Sequence, residues 1–530
     1  MGAPTRDRRL QGALEALALL AFALLLARGF RDHLDVHVFD EVLYQRQGRE
    51  LLGGLLEPRL IAYSPVTTAL YALLLPLPLG GWLPGDAMFL LVYAGSALAL
   101  YWALRDALGG PAALAAGAWW AASPHALQFG NSALEPSVYL LGALLSALAA
   151  GLVLRRRYLA ALVPFLLAAA NRGDLIPWLA TLGAALLFLG WRRRERRAAA
   201  AGALYGALGL ALLAVNLTSW HVQKRSWLAF RQHYAVALRE RAPDRVPAGE
   251  DVFRYPDPHV EASFGEAVGL GGGWRANSSE VLAHVAHNAV RVPGAAGSLA
   301  TDSFAFAPRL RRALLAAAAL LAGLALWRHR RRPWAVLGAL DGRSWTALGT
   351  SLAVVPGILL VGAREDLLMP LLPLLLALLA CPVAAGGRVL RAPPWLAPAA
   401  LLALGLAAPR PFPARGPEAP APEFRSAVAV LEAAPPGPGS RLLAVEAPAL
   451  LELAGLADVD PIDPMTWEAA ELPSGPPFTA LLEEHRPDHV LASPRLLQLD
   501  RRYAGLREAL ASRAWERVAE RGRAVLLRRR

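Results

Sequence analysis

The chain has 530 residues, of which 55% are hydrophobic and only 18% charged, and its mean hydropathy is +0.36. That balance excludes an ordinary soluble globular protein and requires a polytopic membrane protein. The net charge of +12 does not point to nucleic acid, because the arginines punctuate the ends of apolar runs instead of forming one basic face.

Crossing a hydrocarbon core of about 30 Å takes ~20 apolar helical residues. In chain order the runs that qualify, or nearly do, are Gln11 to Phe30, Asp86 to Leu104, Pro111 to Ser123, Pro136 to Leu154, Tyr158 to Ala170, Leu175 to Trp191, Ala198 to Asn216, Leu310 to Trp327, Trp345 to Gly362, Leu367 to Gly386 and Trp395 to Ala408. The expectation is an all-α bundle of about eleven crossings. Basic clusters at Arg6 to Arg9, Arg155 to Arg157, Arg192 to Arg197, Arg328 to Arg332 and Arg388 with Arg391 mark the cytoplasmic ends.

Alternation works if Tyr63 to Trp82, broken by Pro65, Pro76, Pro78, Gly80 and Gly81, is a re-entrant or interfacial segment and not a crossing. The N-terminus is then cytoplasmic. The outer loops 31–85 and 218–309, and the tail after Pro409, lie outside. The first apolar run exceeds a signal-peptide core and shows no cleavage site, so it reads as an uncleaved span. Cys381 cannot form an internal disulfide and reads as a small core residue. The scarcity of lysine beside abundant alanine, leucine and arginine suggests a GC-rich bacterial genome, and hence a bacterial inner membrane.

Residues 1–409 form the membrane domain on this reading. The loop 218–309, at about ninety residues, is too long for a simple connection and reads as a partly helical functional loop. A Pro/Ala-rich linker over 410–424 leads to a tail, 425–530, that alternates apolar runs (Leu442 to Val445, His489 to Ala492, Ala524 to Leu527) with helical stretches (Pro477 to His485, Arg501 to Arg513). This predicts a small C-terminal extracytoplasmic α/β domain. With no phosphate loop or nucleophile elbow in it, it reads as a cap or recognition domain.

Charged residues cluster at the outer helix ends. Asp40 and Glu41 sit in the first outer loop, with Tyr44 one turn on. Glu135 follows Ser123-Pro124-His125 and Asn131-Ser132. Arg172 and Asp174 mark the next outer junction, and Arg364-Glu365-Asp366 precedes Met369-Pro370-Leu371-Leu372-Pro373. An acidic pair alone also fits a solvated loop or an acidic first helical turn. Charges gathered at this depth are costly, however, and line a site. A carboxylate partly shielded from water takes a raised pKa and accepts a proton from a hydroxyl.

The order of a cytoplasmic basic end, a first span, Phe39-Asp40-Glu41-x-x-Tyr44 and then Tyr63-Ser64-Pro65 resembles the GT-C fold of polyprenyl-phosphate-sugar-dependent glycosyltransferases. It is most similar to the protein O-mannosyltransferase and lipid A aminoarabinose transferase branch, glycosyltransferase family 39-like. The matching positions are Asp40-Glu41, Pro65, Glu135, and Arg364 with Pro370 and Pro373, over about residues 1–409. Glu135 departs from the Asp common at its position, and the Trp-Trp-Asp signature of oligosaccharyltransferases is absent.

The resemblance implies inverting transfer of a sugar from a polyprenyl-phosphate donor to a hydroxyl of a glycan, lipid or protein acceptor at the outer face. Asp40 would be the general base and Glu41 its orienting partner or the base itself. Arg364 would hold the lipid phosphate, with Lys224, Arg225, Arg231 and Arg172 as secondary candidates, and His221 and His233 as bystanders in the loop. Tyr44, Glu135 and Asp174 complete the substrate-binding set. Some members hold a divalent metal; here Asp40 and Glu135 would bind magnesium or manganese. A secondary transporter or flippase is the alternative, but it favours internal repeats and midplane charges. A noncatalytic envelope scaffold would leave the carboxylate pair without purpose.

Overall fold

The computed structural model describes residues 6–30, 40–54, 64–77, 84–127, 136–218, 220–246, 252–253, 256–387, 393, 395–409, 411, 423–445, 447–456, 458–464, 478–497, 499, 503 and 505–530. Among these, seven helices are long and apolar enough to cross a membrane: Arg9–Leu26, Pro84–Leu108, Gly173–Arg193, Arg196–Val215, Pro308–Arg328, Gly342–Val361 and Met369–Gly386. Shorter apolar helices cover Pro65–Leu74, Val138–Leu154, Tyr158–Asn171 and Leu396–Ala407. The protein is a helical membrane protein with a small C-terminal sheet.

Several expected spans fold differently from a plain apolar rod. Gly110–Ala121 and Leu396–Ala407 have 12 residues each, only about 18 Å of helix. The run from Trp345 is an interrupted helix: Gly342–Gly349, a 3₁₀ turn at Thr350–Val354, then Val355–Val361. Pro356 explains the break, since it cannot donate to the preceding turn. Pro65–Leu74 is a ten-residue helix opened by its proline, about 15 Å long.

Polar contacts close both ends of the bundle. At the arginine-rich end, Glu15, fully buried, accepts hydrogen bonds from Tyr101 (2.6 Å) and Arg105 (3.0 Å). Arg155 pairs with Asp106 at 2.8 Å. Arg343 pairs with Glu195 at 2.5 Å and donates to the Tyr158 hydroxyl at 3.2 Å. Helix Tyr158–Asn171 runs from this end to the other, where Asn171, Arg172 and Asp174 lie. Ile176–Arg193 and Arg196–Thr218 pack at backbone contact, because Gly183 and Gly202 leave room: a Cβ at Gly183 would meet the backbone of Gly206, and one at Gly202 that of Leu187.

The loop 218–309 is far more helical than its sequence suggests: Trp220–Arg241, Asp257–Phe264, Gly269–Ala276 and Ser278–Thr301. Trp227, Phe230 and Tyr234 recur on one helical face and stack in sequence, with ring centroids 5.3 and 5.7 Å apart. With Phe264 and Val281 they form a core of their own. Trp227, Phe230, Tyr234 and Phe264 therefore build its interior, while Phe253 and Trp274 lie exposed. Asn277 caps Ser278–Thr301 by accepting from the Glu280 amide at 3.2 Å.

The tail is an α/β domain. Strands β1 (Arg441–Leu443), β2 (Asp460–Ile462), β3 (His489–Ala492), β4 (Trp515–Arg521) and β5 (Ala524–Arg529) form one sheet of order β2-β1-β3-β5-β4. β1 is parallel to β2 and β3, while β5 is antiparallel to β3 and β4. Alternate residues feed two cores on opposite faces: Leu442 and Leu491 join one, Leu443 and Val490 the other. Helix Ala447–Leu453 of this domain packs on helix Asp40–Leu52, which follows the first apolar helix in the chain.

Candidate functional site

The sequence-predicted residues divide into a described group and an undescribed one. Glu135 lies outside the described residues. Asp40 and Glu41 open helix Asp40–Leu52, and Lys224 and Arg225 lie on helix Trp220–Arg241, but their side chains also fall outside the description. Among the described residues no three His, Cys, Asp or Glu side chains gather as a metal site.

Of the described group, Arg172, Asp174 and Arg364 are joined by hydrogen bonds that also reach helix Asp40–Leu52. Thr68 on Pro65–Leu74 donates to Gln47 Oε1 at 3.0 Å, tying that helix to Asp40–Leu52. Thr67 donates to Asn171 Oδ1 through its hydroxyl (2.8 Å) and its amide (3.2 Å), and Ser64 Oγ donates to the Asn171 carbonyl at 3.0 Å. Arg172, 6% exposed, holds Asp174 with two bonds of 3.1 and 2.5 Å. It also donates to the carbonyls of Asp366 (3.3 Å) and Leu367 (3.4 Å) and lies over the Tyr139 ring. Arg364 in turn holds Asp366 with bonds of 3.1 and 2.5 Å.

This arrangement gives different surroundings to Arg364, the first anion-binding candidate from the sequence, and Arg172, a secondary one. Arg172 is sealed and saturated by Asp174 and backbone carbonyls, so it staples the 171–174 turn to the 364–367 turn. Arg364 is aligned by the buried Asp366 yet keeps its side chain 32% exposed. Such a guanidinium is positioned and still reachable by an anion. Arg231 is half-buried on Trp220–Arg241. Tyr44 has no exposed surface and belongs to the main core, where it anchors helix Asp40–Leu52.

The loop helices buttress Arg364 from behind. His284 Nε2 lies 3.0 Å from the Leu360 carbonyl, and Asn288 donates to that of Leu359 at 2.8 Å. His233 stands against Gly362, where any Cβ would come within 3.1 Å of its Nδ1. Burial first, and then the neighbouring Arg364, push His233 down to about 3. A neutral imidazole thus sits beside the guanidinium without competing for an anion.

His125 is the residue the sequence places nearby without assigning it. It follows Gly110–Ala121 in a short turn and contacts Ser298 at the far end of the loop unit. Burial lowers its pKa, against the opposing pull of Glu365, Asp302 and Asp366. Its neighbours come from positions some 173 residues away in sequence, so no local spacing signals them. No protein-family model matches this chain, and no curated protein matches it.

Proposed function

We propose that the protein is a GT-C-like membrane glycosyltransferase of about eleven crossings, in the inner membrane of a bacterium, acting at the outer face on a polyprenyl-phosphate sugar. The observation that carries this reading is the hydrogen-bonded run from Gln47 through Thr68, Thr67, Asn171 and Arg172 to the turn that presents Arg364. It ties the helix opened by Asp40 and Glu41 to an accessible arginine at one end of the bundle.

In this mechanism Asp40 takes the proton of the acceptor hydroxyl as its oxygen bonds to the anomeric carbon, opposite the phosphate. The anomeric C–O bond to the lipid phosphate breaks, its electron pair stays on the phosphate, and Arg364 stabilises that charge. One displacement inverts the anomeric centre. Glu41 orients the acceptor.

The test is transfer from radiolabelled polyprenyl-phosphate sugars into envelope fractions, comparing native protein with Asp40→Asn at matched expression. A loss of about 10²–10⁴-fold is expected. Equal transfer from both removes Asp40 as base and shifts that role to Glu41. Absence of transfer from native protein across the donor panel, with substrate movement across the membrane instead, would favour the transporter reading.

A further inference from the structure

A small cavity at the arginine-rich end of the bundle gathers polar groups that the chain itself leaves unspent. Its volume is about 60 Å³, room for several waters or a phosphate-sized group, and Arg156, Tyr158, Asp341, Arg343 and Ser344 line it beside Leu154. Helix Pro136–Leu154 ends here, and Tyr158–Asn171 and Gly342–Gly349 begin here. Arg343, 8% exposed, spends Nη1 on Glu195 and on the Tyr158 hydroxyl, while its Nε is buried without an acceptor. The Tyr158 oxygen accepts that bond, and its own proton has no acceptor among the described residues.

Arg156 reaches this cavity from a costly backbone state. Its amide donates to the Val153 carbonyl and that of Arg157 to the Leu152 carbonyl, both at 2.9 Å, which closes helix Pro136–Leu154 with Arg156 left-handed at φ 60°. Glycine takes that position without steric cost, and a residue with a side chain does not. The guanidinium so placed makes no hydrogen bond or ion pair among the described residues. Asp341 caps Gly342–Gly349 by accepting from the Ser344 amide at 2.8 Å through Oδ1, and it forms an ion pair with neither Arg156 nor Arg343. Hydrogen bonding to Ser344 first, and then the charges of Arg343 and Arg156, hold its carboxyl below the usual range, so it is ionised. The cavity thus offers a free cation, a free carboxylate oxygen and two donors without acceptors. Trp191, 77% exposed at the end of the adjoining Ile176–Arg193, marks the level of the headgroups, where basic pockets between helices take lipid phosphates.

We propose that this cavity binds the phosphoethanolamine headgroup of a membrane phospholipid, with the phosphate on Arg156, Tyr158 and Arg343 Nε and the ammonium on Asp341. A phosphate alone satisfies the same donors but brings nothing to Asp341, whose charge opposes a purely anionic headgroup. The site is at the opposite end of helix Tyr158–Asn171 from Arg172 and the turn of Arg364, so it stands whether or not the protein transfers sugars.

The test strips lipid from the full chain in detergent, titrates it with phosphatidylethanolamine, phosphatidylglycerol and phosphatidylcholine, and counts bound lipid by native mass spectrometry, with inorganic phosphate as a soluble competitor. Phosphatidylethanolamine should bind most tightly of the three and resist displacement by phosphate. Arg156→Gly should melt no lower than native protein, because glycine accepts the left-handed turn, yet bind phosphatidylethanolamine roughly tenfold or more weakly, the worth of one charge-assisted hydrogen bond. Arg156→Gln keeps the strained turn and should lose as much. Asp341→Asn keeps a capping side chain and should erase the preference for phosphatidylethanolamine over phosphatidylglycerol. Equal binding of the three lipids to native protein overturns the proposal, as does a preference that survives Asp341→Asn. Native affinity in Arg156→Gln also overturns it, since any loss in Arg156→Gly would then belong to the turn and not to the charge. Displacement of the lipid by inorganic phosphate would make the cavity a soluble-anion site and overturn the assignment to a phospholipid.

Discussion

The Arg172–Asp174 pair permits a quantitative test of how the site is held. Arg172 is 6% exposed and makes two bonds to Asp174 plus two to backbone carbonyls. Asp174→Asn leaves that buried guanidinium without its counter-charge. Breaking a sealed pair costs about 3–5 kcal/mol; because Asp174 is itself 29% exposed, water relieves part of this, and about 2–3 kcal/mol is expected. Arg172→Met frees the Asp366 and Leu367 carbonyls and costs a similar amount, since hydrogen bonds to a charged donor contribute about 1.5–3 kcal/mol. The double variant no longer holds an unpaired charge, so it should fall short of the sum of the singles by at least ~1 kcal/mol. Equilibrium unfolding in mixed micelles, followed by tryptophan fluorescence, measures all four corners of the cycle. Additivity within about 0.5 kcal/mol would show that the pair is not the staple described.

Three further outcomes follow from the same geometry. Arg364→Lys keeps the charge but loses the two-pronged grip on Asp366, so the donor KM should rise roughly tenfold or more with little change in melting temperature; an unchanged KM removes Arg364 from the phosphate. Burial holds His233 at about 3 and His284 at about 4, against about 6.5 in an unfolded chain. Both pKa values are depressed, so their stabilising effect is complete above about pH 6.5 and shrinks as pH falls toward about 4, by up to about 1.4 kcal/mol per pH unit for each histidine. Melting temperatures that stay level from about pH 7.5 to about pH 5 would contradict this linkage. Gly183→Leu forces Ile176–Arg193 away from Arg196–Thr218 and should destabilise by about 1–3 kcal/mol; a variant with native melting behaviour would mean the two backbones do not meet there.

What the sequence discloses depends on how local the signal is. The tail strands at His489–Ala492 and Ala524–Arg529 are apolar enough to stand out, and helix Phe478–His485 agrees with its expected span. β2 is three residues, Asp460-Pro461-Ile462, at the sheet edge, where a proline is tolerated. β4 is a charged edge strand whose alternation is broken by a register shift between Arg517 and Ala519. Neither carries a period a reader of sequence would find. Arg364 is visible as a charge ahead of an apolar span, but its difference from Arg172 is not, because that depends on which guanidinium is saturated by carbonyls from the other turn. The loop 218–309 looks polar because its apolar face is only one stripe per helix, and its length hides how completely those stripes meet.

The seat of helix Ala447–Leu453 on helix Asp40–Leu52 bears on modularity. A terminal domain joined by a Pro/Ala-rich stretch invites treatment as a detachable accessory, to be trimmed or exchanged between homologues. Here it leans on the very helix that begins with Asp40 and Glu41, so its loss would strip one flank from that helix. Chimeras that exchange residues 425–530 should therefore exchange the facing surface of Asp40–Leu52 as well, and the two surfaces are expected to change together over evolutionary time although some four hundred residues of chain, on the order of two or three domain lengths, separate them.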